Sequence, residues 1–454
     1  MNASEFKAVA GIAVLYIFRM LGLFMVLPVL PLQGEYIGTS PVLIGLALGM
    51  YGLSQAVLQI PFGLLSDRIG RKPVILAGLV VFIAGSIVAA NATSIYGVIA
   101  GRCLQGCGAI ASTMMALLSD LTRVEQRTKS MAVLGISIGM SFGAALVLGP
   151  YVNSHYGLSG IFWITALFGV VGILLVVFVI PTPTTQSFNR EAELVTTQII
   201  SVLRNRELMR IDFGIFMLHF HLMASFVAFP LLIKSSGDVS DQQHWLVYLS
   251  VLTISFLFVG PLMRLSDNSR WTKRVIVSAL VLFVVSYLVV SQSQPLFWRT
   301  WCGMLVFFMA FNLLEITYPS LLSKLAPAGT RGTAMGTYST AQFLGAFCGG
   351  AVGGWLLQLW DMTVLFYVNG AVILAWLISI IPMGNPPDVS SRIVHLAELH
   401  NLTANQLREA LSSVAGVEEV VIIEDDRVAY LKVDNDRFDD DSIDQLSNFA
   451  RRAG

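Results

Sequence analysis

The segment GLLSDRIGRK, residues 63–72, separates two apolar runs, 42–65 and 73–90. Each run is close to the roughly 20 residues that cross a bilayer as a helix. Three cations (Arg68, Arg71, Lys72), one anion (Asp67) and two glycines (Gly63, Gly70) crowd into the segment. The hydrocarbon core rejects charge at that density. The segment therefore reads as a tight turn at a membrane surface, joining two spans.

Composition supports the same reading. Of 454 residues, 55% are hydrophobic and only 12% charged, about half the charged share of an ordinary soluble chain. The mean hydropathy is +0.73. Lysine plus arginine balance aspartate plus glutamate at 28 each, so net charge gives no pointer to nucleic acid. Cys103, Cys107, Cys302 and Cys348 all lie in apolar runs, which implies no disulfide framework. Cys103 and Cys107 share a helix face, but no His, Asp or Glu accompanies them. They read as packing residues, and no metal is expected. The first apolar run continues past Arg19 to Leu32, too long for the core of a cleavable signal.

Twelve spans follow from the apolar runs: 8–32, 42–65, 73–90, 94–118, 128–151, 158–180, 211–233, 245–265, 272–291, 296–325, 332–357 and 363–381. The longest polar interruption lies between spans 6 and 7. It begins PTPTT and has an amphipathic stretch at 191–210, suited to the membrane surface. Most loop cations, among them Arg123, Arg127, Arg204, Arg206, Arg274 and Arg331, fall on one side with Arg71. That bias places both termini in the cytoplasm.

The two halves repeat. FRMLGLFMVLP (18–28) aligns with FHLMASFVAFP (220–230), which puts His221 at the place of Arg19. Pro61, Leu65, Ser66 and Asp67 recur as Pro261, Leu265, Ser266 and Asp267. Leu117, Ser119 and Arg127 recur as Leu321, Ser323 and Arg331. Such a long-period repeat marks duplicated transporters.

After Ile381 the composition turns polar. A strand at 391–399, a helix from Thr403 through Ser413, a hairpin at 417–433 and a helix at 440–452 are expected.

The pattern G-x-L-x-D-R-x-G-R-K, carried by Gly63, Leu65, Asp67, Arg68, Gly70, Arg71 and Lys72, resembles the loop between helices 2 and 3 of the major facilitator superfamily. The resemblance implies an all-α membrane protein of twelve helices in two six-helix halves. The tail segment GVEEVVIIEDDRVAYLKVD resembles the heavy-metal-associated, ferredoxin-like fold without its metal-binding C-x-x-C. The last strand of that fold is not evident. Together the two resemble the YajR type of bacterial transporter, whose tail is a small α+β ferredoxin-like (YAM) domain. The expected domains are a first half at 1–180, a cytoplasmic linker with an amphipathic helix at 181–210, a second half at 211–383 and a cytoplasmic tail domain at 390–454.

Within that family pattern, Asp67 and Asp120 flank Arg71, and Asp67 faces the start of span 11 near Arg331 and Gly332. This suggests a latch that closes the cytoplasmic gate. The plainer alternative is that the charges only set topology. The matching loop RLSDNSRWTKR (264–274) keeps the acid and loses the glycines, so one latch is expected. Intramembrane polar residues are functional candidates by default. Arg19 and His221 are expected to face one another across the cavity. Glu315, read as the only carboxylate well inside the second half, is the first choice for a coupling proton, paired with His221, His219 or Arg19. For His219 and His221 the alternative is ordinary interhelical hydrogen bonding; for Glu315 it is a static salt bridge. GRCLQGCGA (101–109) resembles the family's R-x-x-Q-G motif, linked to proton transfer, through Arg102 and Gln105, with a carboxylate partner that the sequence does not reveal; the alternative is a structural arginine bonded to carbonyls. Gly149-Pro150 resembles an antiporter motif, though the glycine pair expected after it is missing. With Gly353 and Gly354, it is read as a helix hinge, although the span-11 glycines also fit plain packing.

The resulting expectation is a non-enzymatic, multi-pass transporter of the bacterial inner membrane. It would export an unknown small molecule by alternating access, driven by protons and with no cofactor. Its expected partners are the lipid bilayer, the small-molecule substrate, protons and, through the tail, a second copy; nucleic acid is not among them. The competing class is a non-transporting sensor with a signalling tail.

Overall fold

A computed structural model describes residues 1–37, 39–182, 196–266, 269–292, 296–327, 330–384, 389–395, 404–423, 428–434 and 437–438. Helices α1 (Ala3–Phe24) and α2 (Leu30–Ile37) form span 1. It starts earlier than the apolar run does, because Asn2 and Glu5 form a reciprocal capping box. The break after Phe24 comes at Pro28, which lacks the N–H that would bond Phe24.

Spans 2 and 3 are α3 (Pro41–Ile69) and α4 (Arg71–Ala90). Span 4 is split into α5 (Ile95–Cys107) and α6 (Ala111–Asp120). Helix α7 (Val124–Leu174) holds spans 5 and 6, which reverse at Gly157, where φ is 66°. A Cβ at Gly149 would meet Met25, and one at Gly22 would meet Thr165. A straight helix would hold positions 149 and 165 about 24 Å apart at 1.5 Å per residue. The chain must therefore double back to bring both against span 1. Among the described residues ten helices are long and apolar enough to cross a membrane. Helix α7 crosses twice, and α5 with α6 makes a further crossing, which gives the twelve expected.

The linker residues 183–195 lie outside the described residues. Helix α8 (Thr196–Arg204) follows, then α9 (Arg206–Ser235), α10 (His244–Ser266), α11 (Ser269–Val290), α12 (Phe297–Leu325), α13 (Arg331–Leu359) and α14 (Met362–Ile380), the last six being spans 7–12.

Span 11 is the seam between the halves. One of its glycine faces meets span 2: a Cβ at Gly49 would lie 2.9 Å from Phe347 Cα, and one at Gly354 2.4 Å from Pro41 O. The other meets span 7, where a Cβ at Gly349 would lie 2.1 Å from Phe220 O and one at Gly353 2.8 Å from Ala224 Cα. Without side chains there, the backbones approach closely. Spans 5 and 8 diverge instead. Tyr151 and Trp245 meet edge-on at 6.5 Å. Phe256 is 3.7 Å from a Cβ at Gly143, and nothing lies within 4 Å at Gly139 or Gly135. Spans 5 and 8 therefore meet at the Tyr151 end and lie further apart toward Gly135.

The tail forms strands β1 (Val389–His395), β2 (Val417–Ile423) and β3 (Val428–Asp434) in the antiparallel order β1-β3-β2, with α15 (Ala404–Ser412) before β2. Leu407 and Leu411 of α15 pack on Ala429, Leu431 and Val433. Strand β1 begins before the expected 391, since Val389 pairs with Asp434. The expected helix at 440–452 lies outside the described residues.

Candidate functional site

The loop at 63–72 is built around one cation. Helix α3 ends at Gly70, whose φ of 97° is open to glycine and strained for other residues. Helix α4 starts at the next residue, so Arg71 is folded back under span 2. Its Nη1 donates to Ser66 Oγ at 2.7 Å and to Asp67, and its Nε donates to Asp120 Oδ2 at 3.2 Å. Ser66 in turn donates to Gly63 O at 2.6 Å. Gly63 and Arg71 are buried, whereas Leu65 and Arg68 are exposed. Lys72 Nζ donates to Ile180 O at 2.5 Å, closing the end of span 6. The ends of spans 2, 4 and 6 are thus held at one face by Arg71 and Lys72. The structure brings Asp67, Arg71 and Asp120 together as the sequence suggests. The Arg331 side chain lies outside the described residues.

Besides Arg71, two arginines of the first half, Arg19 and Arg102, are buried among the described residues. Arg19 Nη2 donates to Tyr51 Oη at 3.0 Å, Gln55 Oε1 at 3.3 Å and Gly108 O at 2.9 Å. The last bond falls at the break in span 4, where the helix frees a carbonyl. Arg102 lies over the Tyr51 ring, 5.1 Å from its centre. Its Nη1 donates to Gln105 Oε1 at 3.2 Å, and Gln105 reaches Ser86 Oγ at 2.8 Å. The carboxylate partner expected for Arg102 is replaced by Gln105 and the carbonyl of Ala47. The cation is held by dipoles and a ring face.

His221 does not face Arg19. It is fully buried inside the second half, with Nδ1 3.1 Å from Tyr287 Oη and its ring stacked on Trp376. The repeat explains this: Arg19 and His221 each point into their own bundle. His219, two residues earlier on α9, takes the place expected for His221. Its Nε2 lies 2.8 Å from Gln342 Nε2 and 3.8 Å from Glu315 Oε2. Gln342 also donates to Glu315 Oε1 at 3.4 Å. Nδ1 of His219 lies 3.3 Å from Ile215 O. A neutral ring with its proton on Nδ1 satisfies both contacts. The Glu315 side chain is 32% exposed, against 6% for His219. Spans 7, 10 and 11 thereby hold a half-buried carboxylate whose Oε2 is buried without a hydrogen-bond partner.

Glu315 is not alone. Asp212 on α9 is only 5% exposed, with Oδ1 unpartnered. Thr337 lies within hydrogen-bond reach of it. Tyr338, buried with an unpartnered hydroxyl, interacts electrostatically with Asp212, Glu315 and Tyr318. The sequence reading passed over Asp212 because it stands at the edge of an apolar run and follows Arg210. Its spacing from His219, seven residues along one helix face, was the signal available.

The antiporter-like pair and the span-11 glycines sit in unbroken helix. Gly149 packs on Met25 O, and Pro150 follows it inside α7. Gly353 and Gly354 pack on spans 7 and 2, so the three glycines have a close-packing role.

Comparison with known proteins bears on this geometry. The sequence profile of the Major Facilitator Superfamily matches residues 12–347 and 211–415. The inner membrane transport protein YajR of Escherichia coli strain K12 is 45% identical over 437 residues, 96% of each chain. Multidrug resistance protein MdtH of Edwardsiella ictaluri is 24% identical over 75% of this chain and 84% of its own. Among solved structures, the nucleoside transporter NupG superposes with a TM-score of 0.65 at 14% identity, covering 84% of this chain and 98% of NupG.

Proposed function

This chain belongs to the major facilitator superfamily, and from that premise we propose that it is a proton-coupled exporter working by alternating access. A multi-pass transporter of the bacterial inner membrane is the common ground with its relatives. Export is supported by the likeness to multidrug resistance protein MdtH, and proton coupling by Glu315. The single observation that carries the reading is that carboxylate. It sits ten residues inside span 10, partly exposed, with His219 and Gln342 against it. A protonated Glu315 is neutral and can cross with the halves, whereas an ionised one seeks a counter-charge. Proton binding would thus be tied to the direction in which the cavity opens. Tyr338 and Asp212 lead from Glu315 toward the start of span 7 and offer a path for the proton.

Asp67, Arg71 and Asp120 would act as the latch on that motion. In the latched state Asp67 would face the first turn of α13. Both termini are proposed to be cytoplasmic, on the side of these cations. The tail domain would regulate the bundle or join two copies.

The test uses everted membrane vesicles that hold a respiration-driven pH gradient, reported by a quenched amine dye. A panel of toxic cations, anions and neutral antibiotics is added in turn. At least one compound should collapse part of the gradient with the wild type and none with E315Q. If every wild-type response persists in E315Q, Glu315 does not carry the proton. If no compound acts on the wild type, the chain is a sensor and not a pump.

A further inference from the structure

We propose that the junction of α8 and α9 is a binding site for the phosphodiester headgroup of an anionic phospholipid. The site does not depend on the transported substrate or on the coupling ion.

Helix α8 ends at Arg204 and α9 begins at Arg206, with Asn205 between them capping α9 through Glu207 N and Leu208 N. The sharp junction turns Arg204, Arg206 and Arg210 toward a common cavity of about 360 Å³, which Met209, Phe213 and Ser379 also line. That volume is near the lower end of ligand pockets, roughly 300–1,000 Å³, and fits a headgroup rather than a whole amphiphile. Arg204 and Arg206 are exposed. Arg210 is paired with Glu207 at 2.5 Å, so among the described residues at the junction one acid stands beside three cations.

The apolar part of the pocket points to a lipid rather than a free anion. Met209 is 40% exposed and Phe213 43%, beside the arginines; Leu203 and Ile200 of α8 are 47% and 61% exposed. Val202 of the same helix is buried at 2% and shares the main core with Leu208 and Ile211. Helix α8 is therefore anchored through Val202 and offers Ile200 and Leu203 outward, as an interfacial helix does. The pocket lies where span 7 starts and span 12 ends, the level at which headgroups sit. Arginine forks match phosphate oxygens, and basic pockets at this depth suit anionic headgroups. Acyl chains would run along Met209 and Phe213. Because α8 also packs on α13, a lipid seated there would steady the start of span 11.

The experiment uses the full-length protein, purified in detergent and titrated with cardiolipin, phosphatidylglycerol, phosphatidylcholine or inorganic phosphate. Bound lipid is counted by native mass spectrometry. The wild type should hold one of the anionic lipids in preference to phosphatidylcholine. R204Q/R206Q should bind it about 30-fold more weakly, with phosphatidylcholine binding unchanged. Equal binding by the double variant would overturn the proposal. So would displacement of the lipid by inorganic phosphate at matched concentration. If the double variant inserts poorly, R206Q alone should still weaken binding about five-fold; no loss in that variant counts against the site in the same way.

Discussion

Asp67 and Asp120 converge on a single guanidinium, although 53 positions separate them: Arg71 bonds the first through Nη1 and the second through Nε at 3.2 Å. The two acids are not equivalent. The Asp120 side chain is 4% exposed and that of Asp67 20%. Removing one partner of a buried ion pair leaves the other charge stranded, at a cost of about 3–5 kcal/mol. Arg71 keeps a second acid in either variant, so the loss should be smaller. D120N is expected to destabilise by about 2 kcal/mol and D67N by less than about 1 kcal/mol. Thermal unfolding of the purified proteins reads this directly, and a larger loss in D67N would contradict it.

D67N should nevertheless be the more damaging variant for transport. Asp67 is the acid proposed to face span 11 in the latched state, whereas Asp120 stays within its own half. With a responding compound in the vesicle assay, D67N should lower the rate at least about ten-fold at unchanged membrane abundance, the equivalent of ~1.4 kcal/mol. A wild-type rate in D67N would leave the loop with topology alone.

Gly49 controls the other end of the seam. A Cβ there would lie 2.9 Å from Phe347 Cα, against backbone that cannot swing aside. G49V should therefore disfavour the closed Tyr151 end and shift the population toward the opposite state. A cysteine placed at Gly139, where nothing lies within 4 Å, reports the shift. Its reaction with a membrane-impermeant thiol reagent from the cytoplasmic side should slow in the G49V background, in a chain whose native cysteines are replaced. Unchanged labelling would mean that the seam yields elsewhere.

The fold was legible because hydropathy, cation bias and the repeat all act over long windows and agree. The loop was legible because its partners Ser66, Asp67 and Arg71 are close in sequence. What sequence concealed were contacts to backbone and choices between adjacent residues. Lys72 reads as one more surface cation, yet it donates to Ile180 O at 2.5 Å; Lys273 does the same to Ile381 O at 2.8 Å. Both positions advance by the repeat, but a carbonyl has no letter in the sequence. His219 and His221 differ by about 200° around a helix of 3.6 residues per turn. The repeat ties His221 to Arg19, and only the packing shows that this shared place faces the bundle core. The split of span 4 at Gly108 went unseen because glycines occur throughout these helices.

The two histidines make a paired prediction. His221 is fully buried, bonded to Tyr287 and stacked on Trp376. H221A should remove about 2–4 kcal/mol of stability, as other buried truncations do, and leave transport per folded molecule near normal. H219A opens the cluster around Glu315 and should do the reverse: little change in unfolding temperature, and a changed pH dependence of transport. If both variants lose stability alike and keep one pH profile, His219 is structural too.

Lys273 offers a separate test of how the tail is attached. Its ammonium closes the end of span 12 by bonding Ile381 O at 2.8 Å, immediately before the connection to β1. A cation at a helix C-terminus contributes about 0.3–1 kcal/mol through the exposed carbonyls. K273M should let the last turn open more often, and cleavage by a soluble protease tracks such local opening. The rate of cutting after Ile381 should rise about two- to five-fold, the factor that 0.3–1 kcal/mol implies. K72M, at the matching place of the first half, should speed cutting after Ile180 by a similar factor and leave the tail connection as it was. Equal acceleration at both places in either variant would mean that the lysines act on the whole bundle, and not each on its own helix end.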